Sequence, residues 1–251
     1  MSNMWPWLRS LATLIALLGA LLPAHAAAPD YALFDDVLIH NVRNGYVDYD
    51  GIAANPRFAV FLKQLATAEQ PTDRKAELAL LINAYNAFAI SGILQGYSPS
   101  SRIGRWRFFE RLEFQLSGAP TTLEDLEHKR LRLLGEPRIH FAIVCASLSC
   151  PRLVSRAYRP ETLEAELDAA ARGFVNDITR NHFDVAQRTA FLSSIFDWFR
   201  TDFEQGGSTL PAFLARYLQE PAARAALTEG RLAIRYLDYD WGLNGRYADQ
   251  D

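Results

Sequence analysis

The sequence predicts an α+β fold: a single compact domain with a central apolar helix packed on a small mixed or antiparallel sheet. Three observations lead there. Residues 77–95 contain Leu-Ala-Leu-Leu-Ile-Asn-Ala-Tyr-Asn-Ala-Phe-Ala-Ile, apolar on every side, and a helix without a polar face belongs inside a core. Short helical and strand-like segments follow one another without regular alternation, which favours α+β over a doubly wound parallel sheet. No internal repeat and no Pro/Gly/Ser-rich linker divides residues 27–251. A chain of that size buries roughly 70% of its unfolded surface as one domain.

The elements can be justified in order. Residues 31–42 place Leu33, Phe34, Val37, Leu38 and Val42 at helical spacing, with Asn44-Gly45 as the stop. Residues 56–66 repeat the pattern with Phe58, Phe61, Leu62 and Leu65. The central helix follows and ends at Gly96, before Pro99. Residues 112–116 and 121–123 flank Ser117-Gly118-Ala119-Pro120 and read as a hairpin. Thr121 and Thr122, with Glu124 and Asp125 three residues on, form capping boxes that open a helix to about Leu133. The apolar run 138–144 reads as a buried strand. Residues 163–178 form an amphipathic helix, and 183–192 a hairpin around Gln187-Arg188. Short helices over 195–203, 210–218 and 222–227 precede a closing strand at 232–237.

The first residues read as an address. Arg9 precedes an apolar run over 11–22, and Ala24-His25-Ala26 closes it with small residues where a signal peptidase cuts. Residues 1–26 are therefore expected to be a signal peptide, cleaved after Ala26, on an exported, periplasmic protein. The run falls short of the ~20 apolar residues that a bilayer span needs. The mature form is thus expected to have no membrane span, an uncleaved anchor being the alternative. A formal net charge of -3 leaves no electrostatic footprint for nucleic acid.

The chemistry concentrates in Arg-Ile-His-Phe-Ala-Ile-Val-Cys-Ala-Ser-Leu-Ser-Cys-Pro, residues 138–151. Cys145 and Cys150 are the only cysteines, and an even count in an exported protein favours a disulfide between them. The other reading makes Cys145 a nucleophile with His140 or His128 as its base, since an imidazole lowers a thiol pKa and shuttles its proton. Residues five apart on a continuous strand face opposite ways, so His140 and Cys145 meet only if the strand ends between them. A zinc site from His128, His140, Cys145 and Cys150 is disfavoured, because Cys-x4-Cys lacks the usual short spacing. No metal site and no cofactor is predicted.

His128 follows Glu124 and Asp125 on one helical face, which reads as capping acids and a surface ion pair before it reads as an oriented catalytic imidazole. Asn83 and Asn86 share a face of the apolar helix. Buried there, they either clamp neighbouring backbone or hold a ligand, and the first is the commoner use. Ser147 joins them as a candidate ligand contact in the small-residue loop. Asp238-x-Asp240-x-Gly242-x-Asn244 resembles the opening of a calcium loop but lacks the later ligands, including the bidentate glutamate.

Five motifs occur in order: Leu-Ile-Asn-Ala-Tyr-Asn ending at Asn86, Leu-Glu-Asp-Leu-Glu-His ending at His128, the 138–151 segment, Leu-Ser-Ser-Ile-Phe with Trp198, and Tyr-Leu-Asp-Tyr-Asp-Trp ending at Trp241, followed by Asn244. In these the chain resembles the family called domain of unknown function 547, found in exported bacterial proteins and in plant proteins. The resemblance implies one domain over residues 30–245. Arg152 departs from the family pattern, which usually has a second proline after Cys150. The family carries no activity with it. Two readings stay open: an exported binding or accessory module with a disulfide-fixed loop, taking an unknown small molecule or peptide, and a thiol-dependent hydrolase or acyl transferase. The balance favours the module.

Overall fold

A computed structural model of the protein describes residues 27–247, so the signal-peptide expectation over 1–26 lies outside the described residues. Helix α1 (Tyr31–Asn41) starts where the Asp30 carboxylate accepts from the Ala32 amide. It ends before a hairpin of β1 (Val42–Arg43) and β2 (Tyr46–Asp48). Asn44 and Gly45 make the turn, both with left-handed φ of 52° and 82°, as a two-residue hairpin loop requires. The Asn-Gly pair is thus a strand-to-strand turn and not merely a helix stop. Asp48 then caps α2 (Tyr49–Ala54), and Asn55 caps α3 (Pro56–Ala66), with Pro56 in the first turn. The Phe34 ring of α1 stacks on Phe61 of α3 at 4.7 Å.

Helix α4 (Arg74–Leu94) is the core of the molecule, and every residue from Leu78 to Ile93 is buried. By length and composition it could cross a membrane, yet 89% of its most apolar window is covered by the protein itself. It is a core helix. Left-handed Gly96 terminates it, with the Gly96 and Tyr97 amides donating back to Ile93 and Gly92. Next, α5 (Arg102–Trp106) runs into a π-helical turn, Arg107–Arg111, that sets Phe108 on Gly92. A Cβ at Gly92 would lie 2.8 Å from the Phe108 ring, so this approach needs glycine. Strands β3 (Phe114–Leu116) and β4 (Ala119–Thr121) form a hairpin where one is expected, but its loop is Ser117-Gly118 alone, Ala119 and Pro120 already pairing with β3; Phe114 stacks on Phe88 of α4.

Thr122 caps α6 (Leu123–Leu126) by accepting from the Asp125 amide. The helical run continues through a π turn, Glu127–Leu131, and a 3-10 turn, Arg132–Leu134, to left-handed Gly135. The strand expected over 138–144 is not there. Pro137–Phe141 is a 3-10 helix, with the Glu136 side chain accepting from the Arg138 amide and Pro137 fixing the first position. A short buried apolar run looks alike in either conformation, and here the cap and the proline decide.

Helix α7 (Leu163–Val175) precedes the hairpin of β5 (His182–Asp184) and β6 (Thr189–Leu192). The helix expected over 195–203 is two, α8 (Ile195–Trp198) and α9 (Arg200–Phe203), broken at Phe199. Then come α10 (Leu210–Tyr217), α11 (Pro221–Thr228), β7 (Ala233–Tyr236) and β8 (Gly245–Arg246). The strands form three small sheets, β1-β2-β8, β3-β4 and β5-β6-β7, in which β2–β8 and β6–β7 are parallel. The fold is α+β around a buried apolar helix, as the sequence predicts. One hydrophobic cluster surrounds α4, and a second gathers Phe141, Phe174, Phe196, Phe203 and Phe213. The 3-10 helix joins them, with Ile139 in the first and Phe141 in the second.

Candidate functional site

The 3-10 helix between the two clusters presents His140 to a cleft of about 170 Å³. The π turn after α6 supplies Glu127 and His128, α8 and its following residue supply Trp198 and Phe199, and the chain near its end supplies Tyr239 and Trp241. Cys145 and Cys150 lie in the same wall. Trp198, Tyr239 and Trp241 pack on one another with ring centroids 4.5–5.8 Å apart, and the Trp198 indole is 46% exposed. The cleft therefore has an aromatic wall and a polar floor, the usual composition of a small-molecule site.

A chain of charge-assisted hydrogen bonds holds the floor. His140 Nε2 lies 2.8 Å from Asp202 Oδ2, and Arg132 donates to both Asp202 oxygens at 2.7 and 2.9 Å. Arg132 Nη1 also meets His128 Nδ1 at 2.7 Å, and His128 Nε2 is 3.5 Å from Glu124. Burial pushes the Asp202 carboxyl up, but hydrogen bonds from His140 and Arg132 outweigh it and hold it well below the usual carboxylate range. An ionised Asp202 only accepts, so His140 carries its proton on Nε2. Burial, exceeding the help from Asp202, lowers the His140 pKa, which leaves the ring neutral and Nδ1 an acceptor. Phe199 stacks on the ring at 3.9 Å.

His140 Nδ1 is buried and has no hydrogen-bond partner. Glu127 Oε1 stands 3.8 Å away, too far for a hydrogen bond, and Tyr85 donates its hydroxyl to Glu127 Oε2 at 3.2 Å. Burial pushes the Glu127 carboxyl up to about 7. The unfolded carboxyl titrates at about 4.3, so the folded protein holds an extra proton between these values. Stability is lost as pH rises through about 7. Glu127→Gln, which cannot ionise, is expected to stabilise the protein by about 1–3 kcal/mol at about pH 8 and much less at about pH 5. Urea denaturation at both pH values checks this; an equal effect at each would remove Glu127 as its source.

The loop beside the floor is built by disulfide and backbone. Cys145 and Cys150 are disulfide-bonded, with Cα atoms 6.2 Å apart. Ser147, fully buried, places its hydroxyl 3.1 and 3.3 Å from the two sulfurs, and the Tyr239 hydroxyl is 3.2 Å from each. Ser147 thus braces the loop. The segment resembling a calcium loop pairs with it: the Leu148, Ser149 and Asn244 amides donate to Gly242, Asp240 and Ala146 carbonyls. Arg180 donates to the Leu148 and Cys150 carbonyls. Arg152 binds Asp177 and the Asn44 carbonyl, so it ties the loop to the first hairpin.

Asn86 fixes the other side, donating to the Ala142 carbonyl at 2.9 Å and accepting from the Val144 amide at 2.8 Å. Asn83 makes the same pair with the Tyr158 carbonyl and amide. Both asparagines hold backbone, so they clamp neighbouring segments. The Cys145 loop and Asn86 are therefore in contact, and Cys145 and His140 share the cleft. Asp125 turns to the surface and pairs with Lys129, while Glu124 approaches His128. Among the described residues no group of three or more His, Cys, Asp or Glu side chains is arranged to hold a metal ion. A larger groove of about 340 Å³ lies between α7 and residues 151–158. None of the partnerless buried polar atoms lines it, so its volume alone does not make it the site.

Residues 69–175 match the family described as "Protein of unknown function, DUF547". Over those residues the chain is similar to that family. The DUF547 match contains Asn83, Asn86, Glu127, His128, His140, Cys145 and Cys150. Asp202 and the aromatic wall of Trp198, Tyr239 and Trp241 lie beyond it, so the cleft joins DUF547 residues to residues outside the match. No curated protein and no solved structure matches the chain. Sequence reasoning missed Glu127, Tyr85, Arg132 and Asp202. Glu127 and Tyr85 had a signal, as the fifth residues of the Leu-Glu-Asp-Leu-Glu-His and Leu-Ile-Asn-Ala-Tyr-Asn motifs; Arg132 and Asp202 had none.

Proposed function

We propose that the protein is an exported binding module that takes a small molecule or a peptide in the aromatic cleft beside its disulfide-fixed loop. The observation that carries this reading is His140 Nδ1, a buried acceptor without a partner at the floor of an aromatic-walled cleft. A buried polar atom left unpaired costs about 1–3 kcal/mol, and a bound ligand that donates to it recovers that. Export is supported by the apolar run and the Ala24-x-Ala26 site, and a disulfide suits an oxidising compartment such as the periplasm.

The alternative is a thiol-dependent hydrolase or acyl transferase using Cys145 and a histidine. Cys145 and His140 line one cleft, which favours it. Against it, Cys145 is tied to Cys150, and its sulfur contacts Ser147 and Tyr239, while His140 turns one nitrogen to Asp202 and the other towards Glu127. Intact mass spectrometry of protein recovered from the cell envelope, without reductant, separates the readings. The expected species begins at Ala27 and carries the oxidised mass. Intact Met1 on membrane-bound material would overturn export. Quantitative labelling of Cys145 by a thiol reagent would overturn the binding module and favour the hydrolase.

A further inference from the structure

We propose that the cleft takes a small organic molecule bearing a primary ammonium group, which donates to both His140 Nδ1 and Glu127 Oε1 while its apolar stem lies against Trp198 and Tyr239. This rests on the binding reading above and names the ligand chemistry. Two acceptor atoms, 3.8 Å apart, belong to residues that line the cleft: Glu127 Oε1 and the buried, partnerless His140 Nδ1. The Nε2 proton of His140 is committed to Asp202, and the Tyr85 hydroxyl is committed to the other Glu127 oxygen. A single atom that satisfies both must carry at least two N–H or O–H donors. A hydroxyl has one and a quaternary ammonium none; a primary ammonium has three.

Charge points the same way. Glu124 adds a second carboxylate to the cleft, and Arg132 is already paired with Asp202. The aromatic wall accepts cations as well: the Arg105 guanidinium sits 4.6 Å over the Trp241 ring. Half-exposed Trp198 offers its indole to a stem entering from solvent. A cleft of about 170 Å³ suits an amine with a single ring or short chain, not a folded partner.

Binding should then depend on pH through Glu127. On its own helical run Glu124, His128 and Arg132 are its charged or titratable neighbours. From other elements it faces Tyr85, His140, Asp202 and Tyr239. The ammonium needs the ionised carboxylate, which is disfavoured below about 7. Apparent affinity therefore rises by up to about tenfold per pH unit towards that value and levels off above it. Burial lowers the His140 pKa, which favours the neutral ring.

Calorimetry and tryptophan fluorescence on the disulfide-bonded protein test this, with 2-phenylethylamine, its trimethylated quaternary analogue and 2-phenylethanol as probes. The amine is expected to bind about tenfold tighter at about pH 8 than at about pH 6, and about tenfold tighter than either analogue at about pH 8. Glu127→Gln should flatten the pH profile and remove most of the affinity. Trp198→Ala, at an exposed position that leaves the core intact, should weaken binding several-fold without changing the profile. Equal binding of 2-phenylethanol with a flat profile would overturn the ammonium assignment and leave the binding module standing. Absence of amine binding would also overturn it, while the broader reading is judged on the state of Cys145.

Discussion

Asp202→Ala is expected to destabilise the protein by about 3–5 kcal/mol at neutral pH, the cost of removing one partner from a buried ion pair. The carboxylate is 9% exposed at its side chain, and it receives two hydrogen bonds from Arg132 and one from His140. Truncation would leave a largely covered guanidinium without its counter-ion and a buried Nε2–H without an acceptor. Its pH dependence has a definite sign. The folded pKa of Asp202 is depressed, so its stabilisation is present above the unfolded value of about 3.9 and fades as pH falls through the lower folded value. Urea denaturation should therefore show the wild-type and Asp202→Ala curves converging in strong acid. A loss below about 1 kcal/mol at neutral pH would mean that Arg132 and His140 find other partners.

Removing this carboxylate should also free the His140 ring to turn, because Asp202 fixes which nitrogen carries the proton. Asp202→Asn keeps the shape but can offer an N–H to Nε2, reversing the tautomer and removing the acceptor at Nδ1. That links the stability of the second hydrophobic cluster, where Phe203 of α9 is buried, to the chemistry presented in the cleft.

What the sequence revealed of this fold follows from where the information is local. Helix α4 was legible because its only polar residues in the buried stretch are Asn83, Asn86 and Ser91, and nothing else makes a one-sided surface. The Cys145–Cys150 pair was legible from the count of two cysteines in one short loop. The run 138–144 was misread because Ile139, Phe141, Ile143 and Val144 suit a strand or a buried helix equally, and the decision lay in Glu136 and Pro137 just before it. Asn44-Gly45 was read as a stop because two-residue strands such as β1 are too short to show alternation. The site was less legible than the fold for a different reason. Asp202 reaches His140 across 62 residues, and Tyr239 reaches Cys145 across 94. Pairings at that separation leave no periodic mark, and the π turn that swings Glu127 inward leaves none either.

Asn86→Leu is expected to have an effect as large as that at Asp202, with a different origin. Leucine matches the apolar surroundings of α4 but strands the Val144 amide and the Ala142 carbonyl, both in a buried stretch. Each unpaired group costs about 1–3 kcal/mol, so the substitution should lose about 2–6 kcal/mol. Asn83→Leu should lose a similar amount, since it strands the Tyr158 amide and carbonyl instead. The two differ in what they disturb. Asn86 holds the residues just before Cys145, so its loss should loosen the cleft wall, whereas Asn83 holds the segment that leads into α7. Amide hydrogen exchange separates them from a general loss of stability: Asn86→Leu should release Val144 ahead of global unfolding, with Tyr158 still protected, and Asn83→Leu the reverse. Equal release of both amides in either variant would mean that the two clamps act only through the stability of the whole core. Local release at Val144 would show that the central helix sets the shape of the cleft through one side chain.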